Sequence, residues 1–159
     1  MGNAFFYHLT RSPLEATLPM LLAKSLQAGW HVVVRGRDAG RLDWLDQKLW
    51  AGPEEGFMPH GLAGGKHDAL QPILLTSGAD VPNGAQCLMA VDGAEVVADE
   101  CTGLERVCIL FDGNDPAAVD HARGQWKALT GAGIAAQYWS EEDGRWQKKA
   151  ESGPPPASD

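Results

Sequence analysis

Residues 41–65 read RLDWLDQKLWAGPEEGFMPHGLAGG. Leu42, Leu45 and Leu49 recur there at helical spacing, which predicts an amphipathic helix with its apolar stripe on a core. Asp38 stands where an N-cap is wanted, and Gly52-Pro53 stops the helix because proline denies it a backbone donor. A loop carrying Phe57, Pro59 and His60 must follow, and it runs into Gly61-Leu62-Ala63-Gly64-Gly65. Periodicity accounts for the helix of this stretch. Nothing in general folding physics demands the loop's Phe-x-Pro-His-x-Leu-Ala-Gly.

On the N-terminal side, residues 4–9 are short and aromatic-rich, which suits a buried strand. Ser12-Pro13 then offers an N-cap and a first-turn proline to a helix with Leu14, Leu18, Leu21, Leu22 and Leu26 on one side. Pro19 falls inside it and predicts either a kink or a start near Leu18. Gly29 ends the helix, and residues 31–34 read as a second strand. On the C-terminal side, residues 72–75, 86–91 and 106–111 are short apolar runs bounded by turn residues. Asp115-Pro116 opens a last long helix to about Gly131. Residues 134–139 and 145–148 flank Asp143-Gly144, a hairpin turn signal. Strands alternating with helices predict parallel strands joined by right-handed crossovers. The expected fold is three-layer α/β, with a mainly parallel central sheet, helices on both faces and Rossmann-like topology.

A chain of 159 residues is the size of one ordinary domain. We expect a single α/β domain over residues 1–149. Residues 150–159, AESGPPPASD, are expected to form a disordered tail, because prolines and small polar residues bury too little surface to fix their backbone. The formal net charge of −8 opposes nucleic-acid coating, which needs a basic surface. Local basic clusters remain at Arg35, Arg37, Arg41 and Lys48, and at Arg123 and Lys127. Cys87, Cys101 and Cys108 have no paired spacing, so neither a disulfide framework nor a zinc knuckle is expected, and a reducing cytoplasm fits. No run approaches the roughly 20 apolar residues of a membrane span.

The glycine run Gly61 to Gly65 invites a nucleotide reading, because glycines bring backbone N–H groups close to phosphate. A full phosphate loop would need Gly in place of His60 and Ser or Thr in place of His67. A Rossmann-like nucleotide-binding enzyme built on this loop is therefore the alternative reading. His60, His67 and Asp68 match no metal-ligand spacing, and Ser12, Ser25 and Ser77 lack a nucleophile-elbow setting. Glu54-Glu55, Asp99-Glu100 and Glu141-Glu142 lie in polar, turn-like surroundings and read as solvated surface. No catalytic residue, cofactor or metal is expected. The six tryptophans say more. Trp30 reads as core, and Trp139 and Trp146 are candidates for pairing across the hairpin. Trp44, Trp50 and Trp126 sit on helices, Trp44 and Trp126 close to basic residues, and aromatics with cations make peptide-binding hot spots.

Arg41-Leu42-Asp43, Leu49-Trp50-Ala51, Pro53, Phe57, Pro59-His60 and Leu62-Ala63-Gly64 together resemble the chi subunit family of bacterial DNA polymerase III. Asn3-Ala4 with Phe6-Tyr7, and Ala122-Arg123 with Trp126-Lys127-Ala128, resemble that family's first strand and last long helix. The likeness runs in order over most of residues 1–140. It implies a non-catalytic subunit of a holoenzyme with DNA-directed DNA polymerase activity. Its partners would be the acidic C-terminal tail of single-stranded DNA-binding protein and the psi subunit or another clamp-loader component. DNA would be met only indirectly. The tail site implied is Trp50, Phe57, Arg123, Trp126 and Lys127. Val119 stands one turn before Arg123, where a lysine would extend the patch in the family, so the patch is smaller here.

Overall fold

The structure, a computed structural model, describes residues 3–10, 14–50, 60–62, 71–78, 83–142 and 145–152, with the backbone alone at Glu15, Trp50, His60 and Glu142. The elements run β1 (Asn3–Leu9), α1 (Leu14–Gln27), β2 (Val32–Arg35), α2 (Ala39–Trp50), β3 (His60–Leu62) and β4 (Ile73–Thr76). They continue with β5 (Cys87–Ala90), α3 (Ala98–Thr102), β6 (Arg106–Asp112), α4 (Pro116–Gly131), β7 (Ala136–Glu142) and β8 (Arg145–Ser152). The described strands form one sheet in the order β3-β4-β2-β5-β6-β1-β7-β8. Every pairing from β3 to β7 is parallel, and β7 with β8 is antiparallel.

Successive residues of a strand point to opposite faces, so β2 divides the core. Val33 belongs to one core cluster with Ala122 and Leu129 of α4 and Cys101 of α3. Val32 and Val34 pack with Leu18 and Leu22 of α1 and with Leu42, Leu45 and Leu49 of α2. Helices thus cover both faces of a mixed α/β sheet, α1 and α2 on one side, α3 and α4 on the other. The four residues of β2, β4 and β5 are all buried, as parallel strands between two helical layers must be.

Helix α2 starts as expected: the Asp38 carboxylate accepts the Arg41 N–H at 3.0 Å. Its three leucines are buried, Leu45 to 1% exposure. In α1, the alternative start near Leu18 is not taken, and the helix runs from Leu14 through Pro19. Proline there forfeits one helical hydrogen bond, and the fully buried Leu18 and Leu22 hold the turns on either side. The tail boundary also moves. Ala150, Glu151 and Ser152 belong to β8, paired with Tyr138, Gln137 and Ala136. Residues 153–159 lie outside the described residues.

Two elements are additions to the sequence reading. His60, Gly61 and Leu62, read as loop, form β3 and pair with Ile73, Leu74 and Leu75. The five-residue α3 has no apolar periodicity long enough to announce it. The hairpin forms, but Trp139 and Trp146 do not face each other. The turn pairs Glu142 with Arg145, which sets Trp146 opposite Glu141 and Trp139 opposite Lys148. Trp146 packs edge-on against Tyr7 instead, ring centroids 5.5 Å apart. Among the described residues no helix is long and apolar enough to cross a membrane.

Candidate functional site

Helix α4 builds the candidate site. The Asp115 carboxylate caps it by accepting the Ala117 N–H at 3.0 Å, and Pro116 occupies the first turn, where its missing N–H costs nothing. Ala122 and Leu129 are buried, Val119 and Trp126 are half-buried, and Arg123 and Lys127 are exposed. That is the distribution an i, i+3, i+4 spacing produces when one face packs on a sheet. Arg123, Trp126 and Lys127 therefore share one side of the helix. Neither cation has an ion-pair partner among the described residues.

Trp126 is held in place by other rings. Its centroid lies 5.3 Å from that of Phe6 in a T-shaped contact and 6.0 Å from that of Tyr138. Tyr138 stacks on Phe6, and its hydroxyl is 2.7 Å from His8 Nδ1. Burial pushes the Tyr138 phenol above its usual pKa, and the positive charge of Arg123 works against that rise. Tyr138 is the member of this group that sequence reasoning missed. The sequence signal was its period-2 place on β7, on the same face as Ala136.

The other aromatics assigned to the tail site are not shown to join it. Trp50 closes α2, which packs on the opposite face of the sheet from α4. Phe57 lies outside the described residues, as do Ala63, Gly64, Gly65, His67 and Asp68. Gly61 is held in β3, and a Cβ there would come within 3.0 Å of the Gln71 side chain. It is a packed strand residue, not part of an open phosphate loop.

In the cluster Arg35, Arg37, Arg41 and Lys48, two of the four cations are neutralised by carboxylates. Arg35 is buried and forms a two-pronged pair with Glu100, at 2.6 and 2.9 Å, while also donating to the carbonyls of Gly78 and Glu95. Arg41 pairs with Asp92 through both prongs, at 3.1 and 3.2 Å, and stacks on Trp44 at 4.4 Å. Two carboxylates read as solvated surface are also corrected. Burial would raise the Glu100 pKa, but hydrogen bonds from Arg35 and the Val97 N–H bring it below the usual value. Glu141 is 7% exposed and accepts the Thr10 N–H at 3.2 Å. Both pairings are remote in sequence, so neighbouring residues gave no sign of them.

Comparison with known proteins supplies the identification. The family model for "DNA polymerase III chi subunit, HolC" matches residues 1–137. The chain is 24% identical over 117 residues to a probable DNA polymerase III subunit chi of Rickettsia prowazekii, covering 70% of this chain and 71% of that protein. It is 35% identical over 71 residues to the DNA polymerase III subunit chi of Escherichia coli, covering 40% of this chain and 48% of that protein. The matched span takes in β1, the central helix and loop, and the whole of α4, so the chain belongs to the DNA polymerase III chi subunit family.

Proposed function

We propose that this chain is a non-catalytic adaptor that links the clamp loader to single-stranded DNA-binding protein by holding the latter's acidic C-terminal tail on α4. The observation that carries the reading is a half-buried aromatic, Trp126, flanked on one helix side by two exposed cations without ion-pair partners among the described residues. An arginine fork suits the terminal carboxylate of a tail ending in phenylalanine, and the half-buried rings of Trp126 and Tyr138 offer its side chain an aromatic surface. Lys127 attracts the acidic residues upstream. The proposed tail site is Arg123, Trp126, Lys127 and Tyr138. Trp50, whose helix covers the opposite face of the sheet, is left out of that site, Phe57 lies outside the described residues, and a psi subunit or another clamp-loader component is the second partner proposed. DNA is reached only through these partners.

Calorimetric titration of the whole chain with a tail peptide tests this. Binding is expected, and a peptide lacking its last phenylalanine should lose most of it. Equal affinity for the two peptides would contradict the proposed mode.

A further inference from the structure

The carboxyl ends of β1, β5 and β6 open on a crevice of about 840 Å³, between α4 on one side and Arg37 with the start of α2 on the other. The chain's connections part there. β1 leads into α1 on one face of the sheet, while its neighbour β6 leads into α4 on the other. Neighbouring strands whose helices leave to opposite faces keep a gap between their ends, and open α/β sheets bind ligands in such gaps.

One buried group inside the crevice lacks a partner. Gln125 is only 6% exposed, and its Nε2 donates to the Ala94 carbonyl at 3.2 Å, leaving Oε1 with no hydrogen bond. Flipping the amide would set two acceptors against each other, so the free atom is the acceptor. A buried acceptor without a donor among the described residues costs about 1–3 kcal/mol and is a place for an incoming donor. His121, one turn earlier, also has its Nε2 without a hydrogen bond, its nearest carboxylate, that of Glu95, being 3.5 Å away.

Charge in the crevice is divided. Arg41 is committed to Asp92, whereas the exposed Arg37 has no ion-pair or hydrogen-bond partner among the described residues. Arg37 lies over Gly93, at φ 80° in the turn after β5. A Cβ on Gly93 would come 3.3 Å from Arg37 Nη1 and 3.9 Å from His121 Cδ2, so the bare glycine keeps the space between them open. Asp112 and Asp115 stand on the far wall, where each carboxylate accepts a backbone N–H, from Asn114 and Ala117. They repel an anion and accept from hydroxyls. The walls between are largely small, with Ala90, Ala94, Ala118 and Ala122 leaving room for a flat group.

We propose that this crevice binds a nucleoside phosphate. The phosphate pairs with Arg37, the base lies against the small side chains and donates an N–H to Gln125 Oε1, and sugar hydroxyls donate to Asp112 and Asp115. The volume is within the usual range for small-molecule sites, about 300–1,000 Å³. An inorganic anion would satisfy Arg37 and leave Gln125 unpaired. The separated cation and carboxylates therefore favour a molecule with an anionic end and a donor-bearing end.

Calorimetric titration of the full chain with adenosine monophosphate, cytidine monophosphate, adenosine and inorganic phosphate tests the assignment. At least one nucleotide should bind at millimolar concentration or below, more tightly than adenosine or phosphate. Arg37→Ala, at an exposed position, should weaken nucleotide binding roughly five- to tenfold and leave adenosine unaffected, because only a charged hydrogen bond is lost. Gln125→Leu, with its melting temperature measured alongside, should weaken both. Absence of nucleotide binding, phosphate binding as well as the nucleotide, or unchanged affinity in Arg37→Ala would each overturn the proposal.

Discussion

Arg35 and Arg123 show one residue type put to two uses. Arg35 is buried and spends its guanidinium on Glu100 and two carbonyls, tying the end of β2 to α3. Arg123 is exposed beside an aromatic and has no such commitment. Glu100→Gln should cost about 1–3 kcal/mol in denaturant melts, because a nearly buried cation loses its counter-charge and the site keeps some solvent access. The pH dependence follows from the lowered Glu100 pKa. A carboxyl held lower in the folded than in the unfolded state stabilises fully above its unfolded pKa, and that contribution is lost as pH falls through the folded value. Acid melts of the wild type should therefore lose stability below about pH 4.5 more steeply than those of Glu100→Gln. Parallel curves would show that the pair contributes nothing. The sequence displayed both arginines alike, since only the fold brings a carboxylate to one of them.

At the scale of elements, α2 was readable from leucine spacing and a capping aspartate, both local signals. Leu45→Ala should cost roughly 2–5 kcal/mol, the range for deleting a buried leucine side chain, and a loss under about 0.5 kcal/mol would deny its burial in the core. In α4, Trp126→Ala should cost about 2–4 kcal/mol through lost contacts with Phe6 and Tyr138, while Trp126→Phe should recover most of it in the same melts. Recovery of stability without recovery of tail binding would separate packing from recognition. β3 was not legible, because His60-Gly61-Leu62 is a strand through its pairing with β4 and has no alternation of its own. The register of the hairpin was half legible. Asp143-Gly144 located the hairpin, and counting back from Glu142 opposite Arg145 gives the pairs as far as Trp139 with Lys148, beyond which an irregularity shifts the register. Pro19 left two readings open because local propensity opposes it inside a helix, and the helix that starts at Leu14 is sustained through it by the burial of Leu18 and Leu22.

For the whole molecule, net charge −8 and the small cationic patch on α4 set what can approach. The chain should not hold single-stranded DNA in moderate salt, since phosphate binding draws on many cations at once. Micromolar affinity in fluorescence anisotropy near physiological salt would contradict that. The overall α/β order and the central string were legible, and the string named the family. Which face each aromatic serves was not, because long-range topology sets the helices that carry Trp50 and Trp126 on opposite faces of the sheet. The central claim is that Arg123 holds the end of an acidic partner tail. Calorimetry of a tail peptide with wild type and Arg123→Ala tests it most directly. We expect binding weakened by about 1.5–3 kcal/mol, the loss of a charged interfacial hydrogen bond, with an unchanged melting temperature. Equal affinity for the two proteins would make α4 ordinary helix surface.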